Sequence, residues 1–117
     1  EQRRAAQQMM EQRRAEQLRA ELRRAEQQRA EAEQRRAAQK QREHAFLDLA
    51  KAHQWQTVQQ ELRAHPELIN VQPSQRWSAL HQAAAADDVA AVAMLLHFDA
   101  DPTLRNRDHE TPLELTG

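Results

Sequence analysis

The chain has 117 residues, of which 17 are Lys or Arg and 18 are Asp or Glu, giving a net charge of −1. This length fits one small domain with an appendage. Cysteine is absent, which excludes a disulfide framework and any cysteine-based metal site or nucleophile. No apolar run approaches the ~18 residues that a membrane span requires. Because the lack of cysteine fits a reducing environment, we expect an intracellular protein whose compartment the sequence does not specify.

The charges are unevenly distributed along the chain. Residues 1–44 hold 12 Lys/Arg and 8 Glu, a net of +4, whereas residues 45–117 hold 5 Lys/Arg and 10 Asp/Glu, a net of −5. The two parts also differ in composition, because Glu, Gln, Arg and Ala supply 38 of the first 44 residues. We therefore predict a charged helical rod over residues 1–44 and a separate folded region over residues 45–117.

The first part is predicted to be one long helix. Its four main residue types are good helix formers, and neither Gly nor Pro occurs before Pro66. Glu repeatedly precedes Arg by three or four residues, a spacing worth about 0.2–0.5 kcal/mol per ion pair in an isolated helix. These pairs are Glu1–Arg4, Glu11–Arg14, Glu16–Arg19, Glu21–Arg24, Glu26–Arg29, Glu31–Arg35 and Glu33–Arg36. The helix is expected to continue through Phe46 and Ala50 to about residue 53, a length of roughly 75–80 Å.

Several interpretations of residues 1–44 remain open. An apolar seam through Ala15, Leu18, Leu22 and Ala25 is shorter than a coiled coil requires, which favours a lone charged helix over one strand of a coiled coil. A disordered tail has a similar composition, but the regular Glu–Arg spacing favours helix. Arginine is also typical of nucleic-acid contacts, although Glu is interleaved here and no aromatic residue lies among the arginines. Binding to a membrane surface would need a broad apolar face, which the sequence lacks.

Four short motifs follow residue 77 in order. They are SALHQAA at Ser78, VAMLL at Val92, DADPT at Asp99 and TPLEL at Thr111, which opens 33 residues after Ser78. This pattern resembles the ankyrin repeat, whose period is 33 residues. The resemblance implies an all-α fold, here a long single N-terminal helix leading into a short ankyrin-like stack of helical hairpins. It also implies a non-enzymatic protein that binds other proteins.

Residues 45–77 fit a degenerate repeat that would cap the stack. The inward side of its first helix would be Phe46, Leu47, Leu49 and Ala50, and the second helix would contain Val58, Glu61, Leu62 and Ala64. Trp55 is expected in the turn between the helices, as a core or capping residue. Pro66 should end the second helix because proline cannot continue its hydrogen-bond ladder. Leu68, Ile69 and Asn70 would connect to the next unit, and Pro73 should keep the following loop extended.

Residues 78–110 match the repeat best, and residues 111–117 begin a third unit. Ser78 is a favourable N-cap, and the resemblance gives His81 a bridging role between neighbouring repeats. The apolar side of the second helix is predicted to be Val89, Val92, Leu95 and Leu96. Thr111 to Glu114 form a complete capping-box sequence with Pro112 at the first helical position. Because about three repeats are needed for a stable stack, we expect a tag, further residues or a partner protein to cover the C-terminal apolar edge.

Three positions where the family usually has glycine carry other residues. Asp87 and Asp99 stand at the two helix ends of the best unit, and His109 stands in the turn that precedes the third. Glycine is favoured there because the backbone is left-handed, a conformation that costs other residues about 1 kcal/mol or more. We therefore predict a left-handed backbone, and reduced stability, at all three residues.

The resemblance also indicates a surface for a protein partner. Ankyrin modules bind through their finger loops and the inner face of their first helices. The matching positions are Gln75, Trp77, Arg107 and Glu110 on the fingers and Ala52, His53, Ala85 and Ala86 on the helices. Trp77 is the sharpest candidate because tryptophan is enriched at binding hot spots. Its indole would alternatively pack down on the neighbouring finger.

No pattern in the sequence indicates catalysis or a bound cofactor. The six histidines are scattered without metal-ligand spacing, and the paired carboxylates near Asp87 and Asp99 have turn or cap roles. We predict no enzyme activity, no cofactor and no metal site. The leading hypothesis is a scaffold or structural subunit of a larger assembly, in which the rod bridges distance and the stack docks a protein. A regulatory ankyrin module of a larger, catalytic protein is the alternative, and a nucleic-acid-contacting helix is a weaker one; a small-molecule ligand is not expected.

Overall fold

A computed structural model describes residues 2–116. These residues form four α-helices, α1 (Gln2–Lys51), α2 (Trp55–Ala64), α3 (Ala79–Ala85) and α4 (Val89–His97). Short 3₁₀ turns occupy Pro66–Asn70, Pro73–Gln75 and Leu113–Leu115, and no strand occurs within the described range. The predicted all-α fold, with a long N-terminal helix leading into a short ankyrin-like stack, is confirmed. The chain divides into two compact units, one reaching to Ala38 and the other starting at Gln39.

Helix α1 is continuous, as predicted, and ends at Lys51 rather than at residue 53. From Gln2 to Arg42 every side chain is exposed except that of Ala20, which is half-buried. The predicted Glu–Arg ion pairs are wrong for the described part of the chain, because none of the ion pairs within 4.0 Å joins residues of α1 to each other. Glu1 lies outside the described residues. The exposed part of α1 is therefore stabilised by intrinsic helix propensity, since Ala, Arg, Gln and Glu lose little side-chain freedom in a helix.

The hydrophobic core lies entirely within the second unit. It joins the last turns of α1 to the other three helices through Phe46, Leu47, Ala50, Val58, Leu62, Leu68, Ile69, Ala79, Leu80, Ala83, Ala91, Leu95 and Ala100. Val92 packs against this cluster while remaining partly exposed. The predicted stacking is thus confirmed, because apolar residues of the two hairpins share one core. No helix among residues 2–116 combines the length and the apolar character needed to cross a membrane.

Three helices end in the same Schellman motif, with a non-glycine residue in the left-handed conformation. After α1, His53 has φ of 60° and Gln54 N donates to Leu49 O at 2.9 Å. After α3, Asp87 has φ of 52° and Asp88 N donates to Ala83 O at 3.1 Å. After α4, Asp99 has φ of 67° and the N–H of the next residue donates to Leu95 O at 3.1 Å. This bond pattern requires a left-handed residue directly after the helix cap, where glycine is usual.

The left-handed backbone predicted at Asp87, Asp99 and His109 is confirmed, since His109 has φ of 62°. His53, which was not predicted, occupies in the degenerate repeat the place that Asp87 has in the better one. The neighbouring residues Ser74 and Gln75, with φ of 56° and 57°, were not predicted either. The second unit therefore holds six non-glycine residues in this conformation.

Two details of the degenerate unit differ from prediction. Trp55 is the first residue of α2 rather than part of the turn, because the Schellman motif completes the reversal by Gln54. Its indole packs against the core. The loop at Pro73 is not extended but forms a 3₁₀ turn, since the fixed φ of proline also suits the first position of such a turn. Pro66 opens a 3₁₀ turn two residues after α2 ends, in agreement with its predicted role.

The C-terminal edge also departs from prediction. Val89 and Leu96 are 81% and 46% exposed, against the prediction, whereas Leu95 is buried as predicted. The other buried residue of α4 is Ala91, which was not predicted. The capping box at Thr111 is half made, because Glu114 N donates to Thr111 Oγ1 at 3.4 Å without a reciprocal bond among the described residues. Up to residue 116, a single 3₁₀ turn follows it, in which Leu113 is 77% exposed. This edge has the apolar surface for which the sequence predicts a cover, and that cover stays a prediction.

Candidate binding groove

Three of the predicted partner-binding residues lie together along one groove. Gln75, Trp77 and Arg107 line a cavity of about 430 Å³ in the second unit. The remaining lining residues, which the sequence analysis missed, are Lys51, Arg76 and Gln82. We call these six residues the finger groove. Its side chains come from the end of α1, from α3 and from two loops. We call these loops the first finger, residues 72–77, and the second finger, residues 105–110.

The two fingers are held in register by hydrogen bonds that span one repeat. Gln72 Nε2 donates to Arg105 O at 2.9 Å, and Arg107 Nη2 donates to Ser74 O at 2.9 Å. Each bond joins residues 33 positions apart, which is the repeat period. The fingers are therefore fixed to each other before any partner binds, and Arg107 is one of the residues that fixes them.

The buried side chain of Asn106 fixes the backbone of the second finger by hydrogen bonds. Its side chain is only 3% exposed, and its Oδ1 accepts hydrogen bonds from the backbone N–H groups of Asp108 at 3.0 Å and Glu110 at 2.9 Å. His109 N donates to Asn106 O at 2.9 Å, closing the turn in which His109 is left-handed. Buried polar groups are stable only when they are paired in this way. The finger tip thus owes its shape to a residue that the sequence analysis did not single out.

His81 links α3 to the finger that precedes the third unit. Ser78 N donates to His81 Nδ1 at 3.1 Å, and His81 N donates to Ser78 Oγ at 3.3 Å, which completes a capping box at the start of α3. Because a carbonyl oxygen only accepts, the 2.8 Å contact with Glu110 O places the proton of the imidazole on Nε2. The imidazole is fully buried. The predicted N-cap role of Ser78 is confirmed, and His81 makes the bridge that the resemblance implied.

Trp77 lies against this buried imidazole. The two rings have centroids 6.4 Å apart and are tilted by 37°, within the range of favourable aromatic contacts. The residue is half-buried, so one part of the indole is supported by the repeat while another part faces the finger groove. A supported aromatic surface of this kind loses little conformational entropy when a partner covers it.

Arg76 ties the groove to α1. Its guanidinium donates to Asp48 Oδ1 at 2.8 Å through Nη2, and its Nη1 lies 3.0 Å from His44 Nδ1 and 3.4 Å from His44 O. Asp48 is exposed and Arg76 is half-buried. The charge of Arg76 is therefore already partnered, whereas Lys51 takes part in no side-chain hydrogen bond or ion pair among residues 2–116.

The other predicted site residues lie outside the finger groove. Ala52, His53, Ala85 and Ala86 are exposed, and the imidazole of His53 stacks on Trp55 with centroids 5.9 Å apart. The carbonyl of Glu110 accepts from His81, as described above, and its side chain lies 3.4 Å from Asn106 Nδ2. Glu110 thus contributes to the finger itself. Sequence reasoning placed these residues on one surface by analogy, and the structure groups only three of them.

Within the second unit, a further set of side-chain bonds joins residues 45–77 to residues 78–110. Asn70 Oδ1 accepts from Asp101 N at 2.8 Å, and Asp101 Oδ1 accepts from Thr103 N at 2.8 Å. Hydrogen bonds from the hydroxyl and the backbone N–H of Thr103 lower the pKa of Asp101 from its ordinary value of 3.8. These bonds are explained by turn formation. Within the described part of the chain, no group of three or more His, Asp or Glu side chains is placed to hold a metal ion.

The comparisons with known proteins cover part of the chain. The family model described as "Ankyrin repeat" matches residues 75–107, a range that includes most of the finger groove. The human protein named "Ankyrin repeat domain-containing protein 29" is 51% identical over 39 residues. That match covers 33% of this chain and 13% of the human protein. No solved structure matches the chain.

Proposed function

We propose, from the premise that residues 75–107 are an ankyrin repeat and therefore a protein–protein interaction module, that this chain is a non-enzymatic scaffold or structural subunit. In this proposal the finger groove docks a partner protein, and α1 bridges distance within a larger assembly. The observation that supports docking is the grouping of Trp77 with Arg107 and Lys51 along one cavity. Tryptophan and arginine are among the residue types most enriched at binding hot spots.

Preorganisation supports the same assignment. The groove is bordered by bonds that already exist in the free chain, namely those of Ser78 with His81 and of Arg107 with Ser74. A partner that binds such a surface avoids the ordering cost of about 0.5–1.5 kcal/mol per immobilised side chain. The exposed residues Ala52, His53, Ala85 and Ala86 and the finger residue Glu110 remain part of the proposed partner surface.

The role of α1 in the proposal rests on its length and its surface. Its 50 residues correspond to about 75 Å at 1.5 Å per residue. Met9, Met10, Leu18 and Leu22 are between 56% and 64% exposed, so α1 carries apolar side chains that a second protein would cover. A scaffold needs contacts at two separate places, and this surface supplies the second.

Site-specific photo-cross-linking tests the proposal. A photoreactive residue at Gln75 of the finger groove is compared with one at Gln60, which is exposed on α2 and outside the groove. We expect a distinct cross-linked protein from Gln75 in the native cell, lost on Trp77→Ala, and another from Gln17 on α1 that survives Trp77→Ala. Identical products from Gln75 and Gln60 would contradict docking in the groove, and the absence of products from Gln17 would contradict the bridging role.

A further inference from the structure

The finger groove is basic in a region that is otherwise acidic. Residues 45–117 hold 5 Lys/Arg against 10 Asp/Glu, yet three of the five cations, Lys51, Arg76 and Arg107, line this one cavity. Among the described residues that line it, none carries a carboxylate. One of the three cations, Arg76, is bonded to the carboxylate of Asp48. Positive charge is therefore concentrated on the groove against the net charge of its surroundings.

Two of these positive charges have no anionic partner. Lys51 takes part in no ion pair among residues 2–116, and Arg107 donates only to the neutral carbonyl of Ser74. A carbonyl bond uses one of the five N–H donors of a guanidinium and leaves the charge uncompensated. Of the other two cations of this region, Arg105 lies 3.9 Å from a Glu114 oxygen and Arg63 lies outside the groove. Lys51 and Arg107 are thus free to pair with an incoming anion.

The rest of the lining suits an extended polypeptide. Trp77 offers an apolar surface, while Gln75 and Gln82 each carry an amide that both donates and accepts. These amides match backbone N–H and C=O groups of a peptide, and two separated cations match two side-chain carboxylates. The cavity of about 430 Å³ has room for a few side chains but not for a folded domain.

We propose that the finger groove binds a short acidic segment of the partner protein, with an apolar side chain on Trp77 and carboxylates on Lys51 and Arg107. This inference rests on the proposed docking function and names the chemistry of the partner. A nucleic acid is the less favoured occupant, because its backbone charge would extend past the groove onto a region, residues 45–117, whose net charge is −5. Such a polyanion needs a row of cations, whereas two uncommitted cations suffice for an acidic peptide.

Selection from a random peptide library displayed on phage tests the inference directly on the full chain. We expect the selected peptides to be enriched in Asp and Glu around an apolar residue. A synthetic peptide from this selection should bind about tenfold more weakly when its carboxylates are changed to amides, and its affinity should fall with added salt. Binding is measured by fluorescence anisotropy.

A matched pair of charge reversals locates the binding. Lys51→Glu with Arg107→Glu removes the two free cations, whereas Lys40→Glu with Arg63→Glu makes the same change in net charge at exposed residues outside the groove. The first variant should lose at least about tenfold in affinity and should select basic peptides instead. The second should behave like the unmodified chain. Circular dichroism establishes that both variants remain folded.

The outcomes separate this inference from the proposed function. Selected peptides that lose binding on Trp77→Ala but show no acidic preference would overturn the acidic segment and leave docking in the groove intact. Peptides insensitive to both Trp77→Ala and the charge reversal, or no selected peptides at all, would count against both. Tighter binding of a single-stranded oligothymidylate than of the acidic peptide at physiological salt would assign the groove to nucleic acid instead.

Discussion

The two units of this chain are helical for different reasons. Residues 2–38 form regular helix although they contribute no side chain to a core, so this region depends on local backbone preference. The second unit has shorter helices, six left-handed non-glycine residues and a shared apolar core. Its local sequence is unfavourable in several places, and packing compensates. Helix α1 runs continuously through both units, yet substitutions in the two units should differ strongly in the size of their effects.

Truncation of a leucine should show this contrast most strongly. Leu62→Ala in α2 removes a fully buried side chain and should lower the free energy of unfolding by about 2–5 kcal/mol. Leu18→Ala in α1 removes a side chain that is 58% exposed, and the effect should stay within about 0.5 kcal/mol. Urea unfolding followed by tryptophan fluorescence measures both, because Trp55 and Trp77 lie in the second unit. Similar losses for the two variants would contradict the distinction.

A proline substitution in α1 tests whether the first unit and the second unit are stabilised independently. Ala25→Pro should cost its own helix about 3 kcal/mol or more, because proline removes a hydrogen bond and clashes with the preceding turn. The far-ultraviolet circular dichroism of the chain should fall accordingly. The fluorescence-detected unfolding of the second unit should not change, since residue 25 lies in the first unit and outside the core. A shifted fluorescence midpoint would show that the repeats depend on the rod, and Ala25→Gln serves as the control.

Replacement of a left-handed residue by glycine should act in the stabilising direction. Asp87→Gly relieves a positive φ of 52° and should raise the free energy of unfolding by about 0.5–1 kcal/mol. The neighbouring Asp88→Gly should lower it by a few tenths of a kcal/mol, because Asp88 Oδ1 caps α4 by accepting from Ala91 N at 3.1 Å. Thermal unfolding distinguishes the two signs. A gain from Asp88→Gly, or a loss from Asp87→Gly, would refute this reading of the helix ends.

The contrast also explains which features of the fold could be predicted from sequence. The helix over residues 2–51 follows from composition, and the core follows from apolar residues that recur at the repeat period. The left-handed Asp87 and Asp99 were predictable because the family places glycine there. His53 was missed because its unit lacks the signature motif, although it directly follows a helix end. The Glu–Arg pairs were predicted from spacing alone, which brings side chains near each other without fixing their rotamers.

The finger groove was only partly predictable. Gln75, Trp77 and Arg107 follow from the repeat register, since each stands on a finger. Lys51 could not be assigned to the same site from sequence. It lies at the end of a helix whose composition predicts a charged rod and gives no sign of a binding site. The position of Arg76 depends on Asp48 and His44, which are 28 and 32 residues away in sequence. Contacts between elements of this kind are set by packing, and a single sequence carries no local signal for them.

The smallest expected effect concerns the hydrogen-bonded turns that only the second unit has. The pKa of Asp101 is lowered from 3.8 because its carboxylate accepts from the hydroxyl and the backbone N–H of Thr103. A carboxyl group whose pKa is lower in the folded state stabilises the fold above its unfolded pKa, and this contribution disappears as the pH falls through the folded pKa. Thr103→Ala keeps the backbone donor and removes the hydroxyl, so the pKa of Asp101 should rise part of the way back. Carbon-detected NMR titration of the Asp101 carboxyl measures this shift, and an unchanged midpoint would mean that the hydroxyl bond contributes nothing in solution.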